Sequence, residues 1–362
     1  MHKPLPHSLD DLTARLAAEH DDLFWLSAGD GRLLATRHAA RLMASDDGHA
    51  DTWSNPFFVA EDGDTGQLTG GDRLWIAPEV GYFWPNLQQA REDPKKWAKT
   101  PPVMDPAHWT ITNQSDNALA LSTEMDLTDA RDGKRIRLTA DRSFQGLDRS
   151  ADLDPGLRCV SFAITNTLTL IDGDAGAVAG AWDILMVPAE PTPGTLIIPT
   201  TREIELANIN SYYDPFGDEH VVIDGQSVRF RCDGQRRVKM GLPADLTAGT
   251  MAHYRPTTDG QAILIHRTFP THHEETYCDI PRSFPDDQRL GGDCFQAYND
   301  EGDSFGPAIG GSPTFSEMEY HDPCLAVGTD KTTQTGTCTT HILTGPEALI
   351  REHLSTRLQL TP

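Results

Sequence analysis

The stretch Phe315-Ser-Glu-Met-Glu-Tyr-His-Asp-Pro323 sets two carboxylates and an imidazole at alternate positions. On a β-strand successive side chains face opposite ways, so Glu317, Glu319 and His321 share a face with Phe315, while Met318 and Tyr320 take the other. A buried carboxylate is costly unless it is paired or hydrogen-bonded, so a strand that only packs has little use for such a row. Rows of this kind line polar clefts, where the groups act as acid, base or ligand. An edge strand with a solvated polar face is the competing account. The flanking apolar residues favour the cleft.

A second segment with chemical content is Thr69-Gly-Gly-Asp-Arg-Leu-Trp-Ile-Ala-Pro-Glu79, followed by Tyr82-Phe-Trp84. The paired glycines permit positive φ or close backbone approach. As a strand, it places Arg73, Trp75 and Ala77 on one face and Asp72, Leu74 and Ile76 on the other. A guanidinium bonds hydroxyls and an indole stacks on the C–H face of a sugar ring, which makes Arg73 and Trp75, with Glu79 nearby, candidate saccharide contacts. A structural Arg–Asp pair beside a packed tryptophan would use the same residues.

A third segment is Ile265-His-Arg-Thr-Phe-Pro-Thr-His-His-Glu-Glu-Thr-Tyr-Cys-Asp279. His266 ends an apolar strand, and the following loop carries His272, His273, Glu274 and Glu275. His266 or His273 can serve as a general acid, since imidazole titrates near neutrality. With Glu317, Glu319 and His321, His273 could also join a divalent-metal site, although no H-E-x-x-H spacing supports one and no cofactor is otherwise called for. There is no P-loop, no G-x-S-x-G elbow and no G-x-G-x-x-G after a strand.

The elements that must position these groups are mostly strands. Thirty Gly and 25 Pro punctuate short alternating runs, as in an all-β protein. Strands are expected within Asp21–Ala44, then at Trp109–Thr112, Ala118–Leu127, Lys134–Phe144, Cys159–Leu170, Ala181–Val187, Thr195–Ile198, His220–Ile223, Val228–Cys232, Arg237–Gly241 and Ala262–Phe269. Helices are expected only at the margins. Ser8 can cap Leu9–Glu19, Asn86–Lys99 has room for a turn or two, and Ile350, Leu354 and Leu358 recur at helical spacing after Pro346. Nothing separates two domains, so residues 1–362 read as one large β domain.

The chain has 362 residues and a formal net charge of -24, which argues against nucleic acid and anionic membranes as partners. A local arginine cluster such as Arg73, Arg267 and Arg282 could still hold an anionic sugar. The six cysteines are widely spaced without a C-x-x-C pair and read as buried thiols, not a disulfide framework or zinc ribbon. No signal-peptide core or bilayer-length apolar run is seen, so the cytoplasm is the expected compartment.

Together, Gly31-Arg-Leu-Leu34, Arg41-Leu-Met-Ala-Ser45, Asn55, Gly70–Glu79 and Glu317–Pro323 resemble the galactose-mutarotase-like superfamily, in one of its uncharacterised bacterial branches. The resemblance implies a large antiparallel β-supersandwich with short terminal helices, whose concave face binds a small saccharide. Aldose epimerases of this group use a late-strand glutamate as base, a mid-chain histidine as acid and an early arginine near the sugar. Carried over, Glu319 is the base with Glu317 second, and Arg73 is the sugar-binding arginine; Trp75, Glu79, Arg267 and His321 stand beside them as further binding candidates. The mid-chain position reads Ala181-Trp-Asp-Ile-Leu-Met-Val-Pro188 and lacks the histidine, so either His266, His273 or His321 supplies the proton or the chemistry differs from simple mutarotation. The expected function is therefore an epimerase-like isomerase. The alternatives are a lyase or isomerase acting on an acidic or modified sugar, with or without a metal, and a non-catalytic saccharide-binding protein.

Overall fold

The computed structural model describes residues 9–17, 22–48, 53, 70–86, 88–89, 98–105, 107–189, 192–213, 215–281, 285, 287–301 and 314–360. Two ten-stranded antiparallel sheets carry the fold among them. The first runs Leu23–Ala28, Gly31–Thr36, Arg41–Asp46, Asp72–Ala77, Val178–Pro188, Phe315–His321, Phe295–Asn299, Val238–Leu242 and Asn210–Ser211, with Leu325–Ala326 paired to the start of Val178–Pro188. The second runs Val221–Asp224, Ser227–Cys232, Gly194–Pro199, Thr250–Pro256, Gln261–Thr268, Thr333–Pro346, Arg158–Gly173, Arg135–Leu147, Ala118–Thr128 and Thr110–Gln114. The all-β sandwich expected from the sequence is the architecture found.

Besides the two-residue strands Asn210–Ser211 and Leu325–Ala326, three strands escape the alternation test: Thr250–Pro256, Phe295–Asn299 and Thr333–Pro346. The last alternates cleanly in burial, but its inward positions include Gln334, Gly336, Cys338 and Thr340, so no hydrophobic period marks it. Among the described residues a short helix that was not expected lies at Glu79–Tyr82, and the expected terminal helices form at Leu9–Ala17 and Glu347–Arg357. The last buries Ile350 and Leu354 against Ala252, Leu264 and Leu343 on the outer face of the second sheet. Ser8, Asn55, Arg282 and most of Asn86–Lys99 lie outside the described residues. All six cysteines are buried free thiols.

The interior between the sheets is largely apolar, with a cluster of charges at its centre. There Asp72 and Asp183, from adjacent strands of the first sheet, face Arg142 and Arg267 of the second, and all four side chains are fully buried. Arg267 Nη2 donates to Asp183 Oδ1 at 2.6 Å and Asp72 Oδ2 at 3.1 Å. Arg142 donates to Asp183 Oδ2 at 2.9 Å, to Asn166 Oδ1 at 3.0 Å and to Asp72 Oδ1. Two carboxylates with two guanidiniums neutralise one another, and donors from Asn166 and acceptors at Thr340 Oγ1 and the Met318 carbonyl take up further valence. Burial and the neighbouring Asp183 still push the Asp72 carboxyl up to about 7.

Removing one partner from such a cluster leaves an uncompensated buried charge. Arg142→Met should therefore cost about 3–5 kcal/mol in urea unfolding. Adding Asp72→Asn to that variant should cost less than the sum of the two single changes, because the groups share partners. Small, additive losses would show that the cluster does not tie the sheets together.

Candidate functional site on the outer face of the first sheet

Each strand that sends a charged or polar residue into the central cluster sends its sequence neighbour to the opposite face. Asp72 precedes Arg73, Asp183 follows Trp182, and Tyr320 lies between Glu319 and His321. The register brings these together, with Trp75 beside Trp182, Trp182 beside His321, and Glu319 beside both Ile184 and Gln296. Glu317, Glu319 and His321 thus share one face, as the alternation requires. Gly70 and Gly71, just before Asp72, have φ of 71° and 75°, which explains the glycine pair.

Two carboxylates on this face are paired with cations. Arg73 Nη2 donates to Glu317 Oε1 at 2.6 Å, and its guanidinium lies 4.3 Å from the Trp75 ring centre. Glu319 Oε2 accepts the Trp182 indole N–H at 2.7 Å and sits 3.1 Å from Lys239 Nζ. Lys239 also approaches Glu79 Oε2 at 3.4 Å and lies over the rings of Trp182 and Tyr212, at 4.3 and 5.3 Å. The rings of Phe83, Trp75, Trp182 and His321 form a continuous aromatic wall, with Trp182 and His321 stacked at 5.4 Å. At the other end, Met186, Tyr298, Phe315 and Tyr213 make an apolar cluster. Glu79 and Trp75 are half-buried and mark the more open side.

These surroundings set the protonation states. Burial, opposed by Lys239 and aided by Glu317, pushes the Glu319 carboxyl up to about 7. Burial works against the Lys239 ammonium, but Glu319 and Glu79 outweigh it and hold the amine above its usual range. Burial, with Lys239 next, keeps His321 well below the usual imidazole value, hence neutral.

Several buried polar atoms on this face have no hydrogen-bond partner: Glu319 Oε1, both ring nitrogens of His321, Arg73 Nη1 and Trp75 Nε1. Each bare buried group costs about 1–3 kcal/mol. A concentration of them at one place points to a bound polar ligand or water.

The other residues singled out in the sequence lie elsewhere. Arg267 belongs to the central cluster between the sheets, because it occupies an inward position of its strand. His266 takes the outward position on the second sheet, where its Nε2 meets Thr250 Oγ1 at 2.8 Å and its ring stacks on His341; burial lowers it to about 4. His273 is exposed in its loop, whereas Glu319 is fully buried. Among the described residues no group of three His, Cys, Asp or Glu side chains is placed to hold a metal ion. The carboxylates of the supposed metal row are engaged by Arg73 and Lys239 instead. Sequence reasoning missed Lys239 and Gln296. The clue to Lys239 was a lone cation inside the apolar run Val238–Leu242, a costly placement unless a carboxylate faces it.

The Trp182–Glu319 hydrogen bond provides a direct reporter. Wild-type tryptophan emission, less that of Glu319→Gln, should titrate with a midpoint near 7 and not near the ordinary 4.5. A midpoint in the ordinary range would mean that solvent reaches Glu319 freely.

Fold and site together define an all-β sandwich protein with a polar, aromatic-walled site on one sheet face. The chain belongs to the family of unknown function DUF6786, whose model matches residues 15–359. No protein of curated function matches the sequence significantly. Solved structures similar to it include a galactose mutarotase related enzyme from Lactobacillus acidophilus, at 7% identity and TM-score 0.45, over 89% of this chain and 97% of that one. A GalM/aldose epimerase homologue from C. elegans is similar at 9% identity and TM-score 0.44, over 88% of this chain and 97% of that one. No described helix is long and apolar enough to cross a membrane.

Proposed function

We propose that this chain is a carbohydrate-active enzyme of the aldose 1-epimerase type, working by acid–base chemistry on a small saccharide held at Glu319. The observation that carries this reading is the group of bare, buried polar atoms beside aromatic rings on the outer face of the first sheet. A saccharide suits both features, since its hydroxyls satisfy donors and acceptors while its C–H face stacks on an indole.

The two oxygens of Glu319 differ. Oε2 is held by Trp182 and Lys239, while Oε1 is bare and free to accept a hydroxyl proton. A carboxyl near 7 is matched to proton transfer at neutral pH. In the proposed step Glu319 Oε1 takes the proton of the anomeric hydroxyl, and the ring C–O bond breaks toward the ring oxygen. Lys239 then protonates that oxygen, because an alkoxide is basic enough to take a proton from a strongly held ammonium. Rotation and the reverse transfers close the ring on its other face. Lys239 thereby fills the role expected of a histidine, while neutral His321 and Arg73 offer hydrogen bonds to the sugar.

Exchange NMR of anomeric protons over a panel of neutral aldoses and uronates tests this. Protein-dependent exchange should fall by about 10²–10⁴-fold in Glu319→Gln and in Lys239→Met. Its acid limb in wild type should lie near 7, since protonation of Glu319 removes the base. Unchanged exchange in Glu319→Gln would refute the assignment of the base.

A further inference from the structure

We infer that Gln296 determines specificity at this site, with its Oε1 accepting a hydrogen bond from one hydroxyl of the bound saccharide; the inference rests on the saccharide reading above. Gln296 lies directly across from Glu319 in the paired strands Phe295–Asn299 and Phe315–His321, and so projects from the same face. It is fully buried, and its Oε1 has no hydrogen-bond partner.

Its orientation is fixed by chemistry. Nε2 donates to Asp279 Oδ2 at 2.7 Å and to Tyr212 Oη at 2.6 Å, which uses both amide hydrogens. Asp279 accepts at its other oxygen from the Glu79 backbone N–H at 2.7 Å. Tyr212 Oη lies 2.9 Å from Asp293 Oδ2, and Asp293 Oδ1 accepts from Asn210 Nδ2 at 2.8 Å. The network needs Gly241, the residue paired with Gln296 on its other side. A Cβ there would lie 2.1 Å from Asp293 Oδ2 and 2.8 Å from Tyr212 Cε2. Turning the amide over would set its oxygen against a carboxylate, so Oε1 is locked as the unpartnered atom. A glutamine whose only task was to brace Asp279 would not need its acceptor left bare beside Glu319. A fixed neutral acceptor takes a hydrogen bond from a hydroxyl and repels a carboxylate or phosphate oxygen, so it selects an uncharged hydroxyl at its position.

The test is calorimetric titration of D-glucose, D-galactose and their monodeoxy derivatives into wild type, Gln296→Met and Asp279→Asn. In wild type one deoxy position should bind about tenfold more weakly than its parent sugar. In Gln296→Met parent and derivative should bind alike at that position, with discrimination elsewhere unchanged. Asp279→Asn is nearly isosteric and supplies a donor that turns the Gln296 amide over, so it should erase the same discrimination even if Gln296→Met folds poorly. Discrimination that persists at every position in the variants overturns the role of Gln296 and leaves the saccharide reading intact. Failure of wild type to bind any of these sugars overturns both.

Discussion

The buried ion cluster of Asp72, Asp183, Arg142 and Arg267 is the constraint on which the rest of the molecule depends. Apolar packing between two sheets is non-directional and would tolerate a sliding of one across the other. Four charges with fixed hydrogen-bond geometry do not, because any displacement leaves a charge unpaired in a dry interior. A one-residue slip of a strand also exchanges its two faces. By holding Asp72 and Asp183 inward, the cluster holds Arg73 and Trp182 outward, and the Met318 carbonyl that binds Arg267 fixes the strand of Glu317, Glu319 and His321 as well.

The outer face treats its charges differently. In the central cluster each aspartate meets both guanidiniums, whereas at the site Glu319 keeps one oxygen bare beside the bare ring nitrogens of His321 and Nη1 of Arg73. An arrangement that maximised stability alone would not leave them so. The cost is held in place by rigid surroundings: the aromatic wall, the network from Asn210 to Glu79, and the cation of Lys239 over two rings. Rigid strands place these groups more tightly than loops could.

Lys239 changes how the resemblance to sugar epimerases should be read. The strand position where a histidine was sought holds Trp182, which donates to Glu319 and stacks on His321, while the positive charge enters from a different strand. This face sets a glutamate of raised proton affinity beside an ammonium, where the sequence resemblance implied an imidazole. His266 and His273, the other histidines considered, stand on the far sheet face and in an exposed loop.

The sequence by itself determined the all-β class, the faces of the strands Asp72–Ala77 and Phe315–His321, a special backbone at Gly70 and Gly71 (positive φ or close approach), and the buried state of the cysteines. These follow from period-two alternation, glycine conformation and Cys spacing, all of which are local. It also brought Arg73, Trp75, Glu79, Glu317, Glu319 and His321 forward as candidates, and these do share one region. Only the tertiary structure decided that Arg267 serves the interior, that His266 faces away, and that Lys239 and Gln296 join Glu319. Those outcomes depend on pairing between strands far apart in the chain, such as Val238–Leu242 with Phe295–Asn299, and in Phe295–Asn299 the polar site residues mask the strand itself. Long-range register leaves no local signature, because a side chain's partner across the sheet is set by the packing of the whole sandwich and not by its neighbours in sequence.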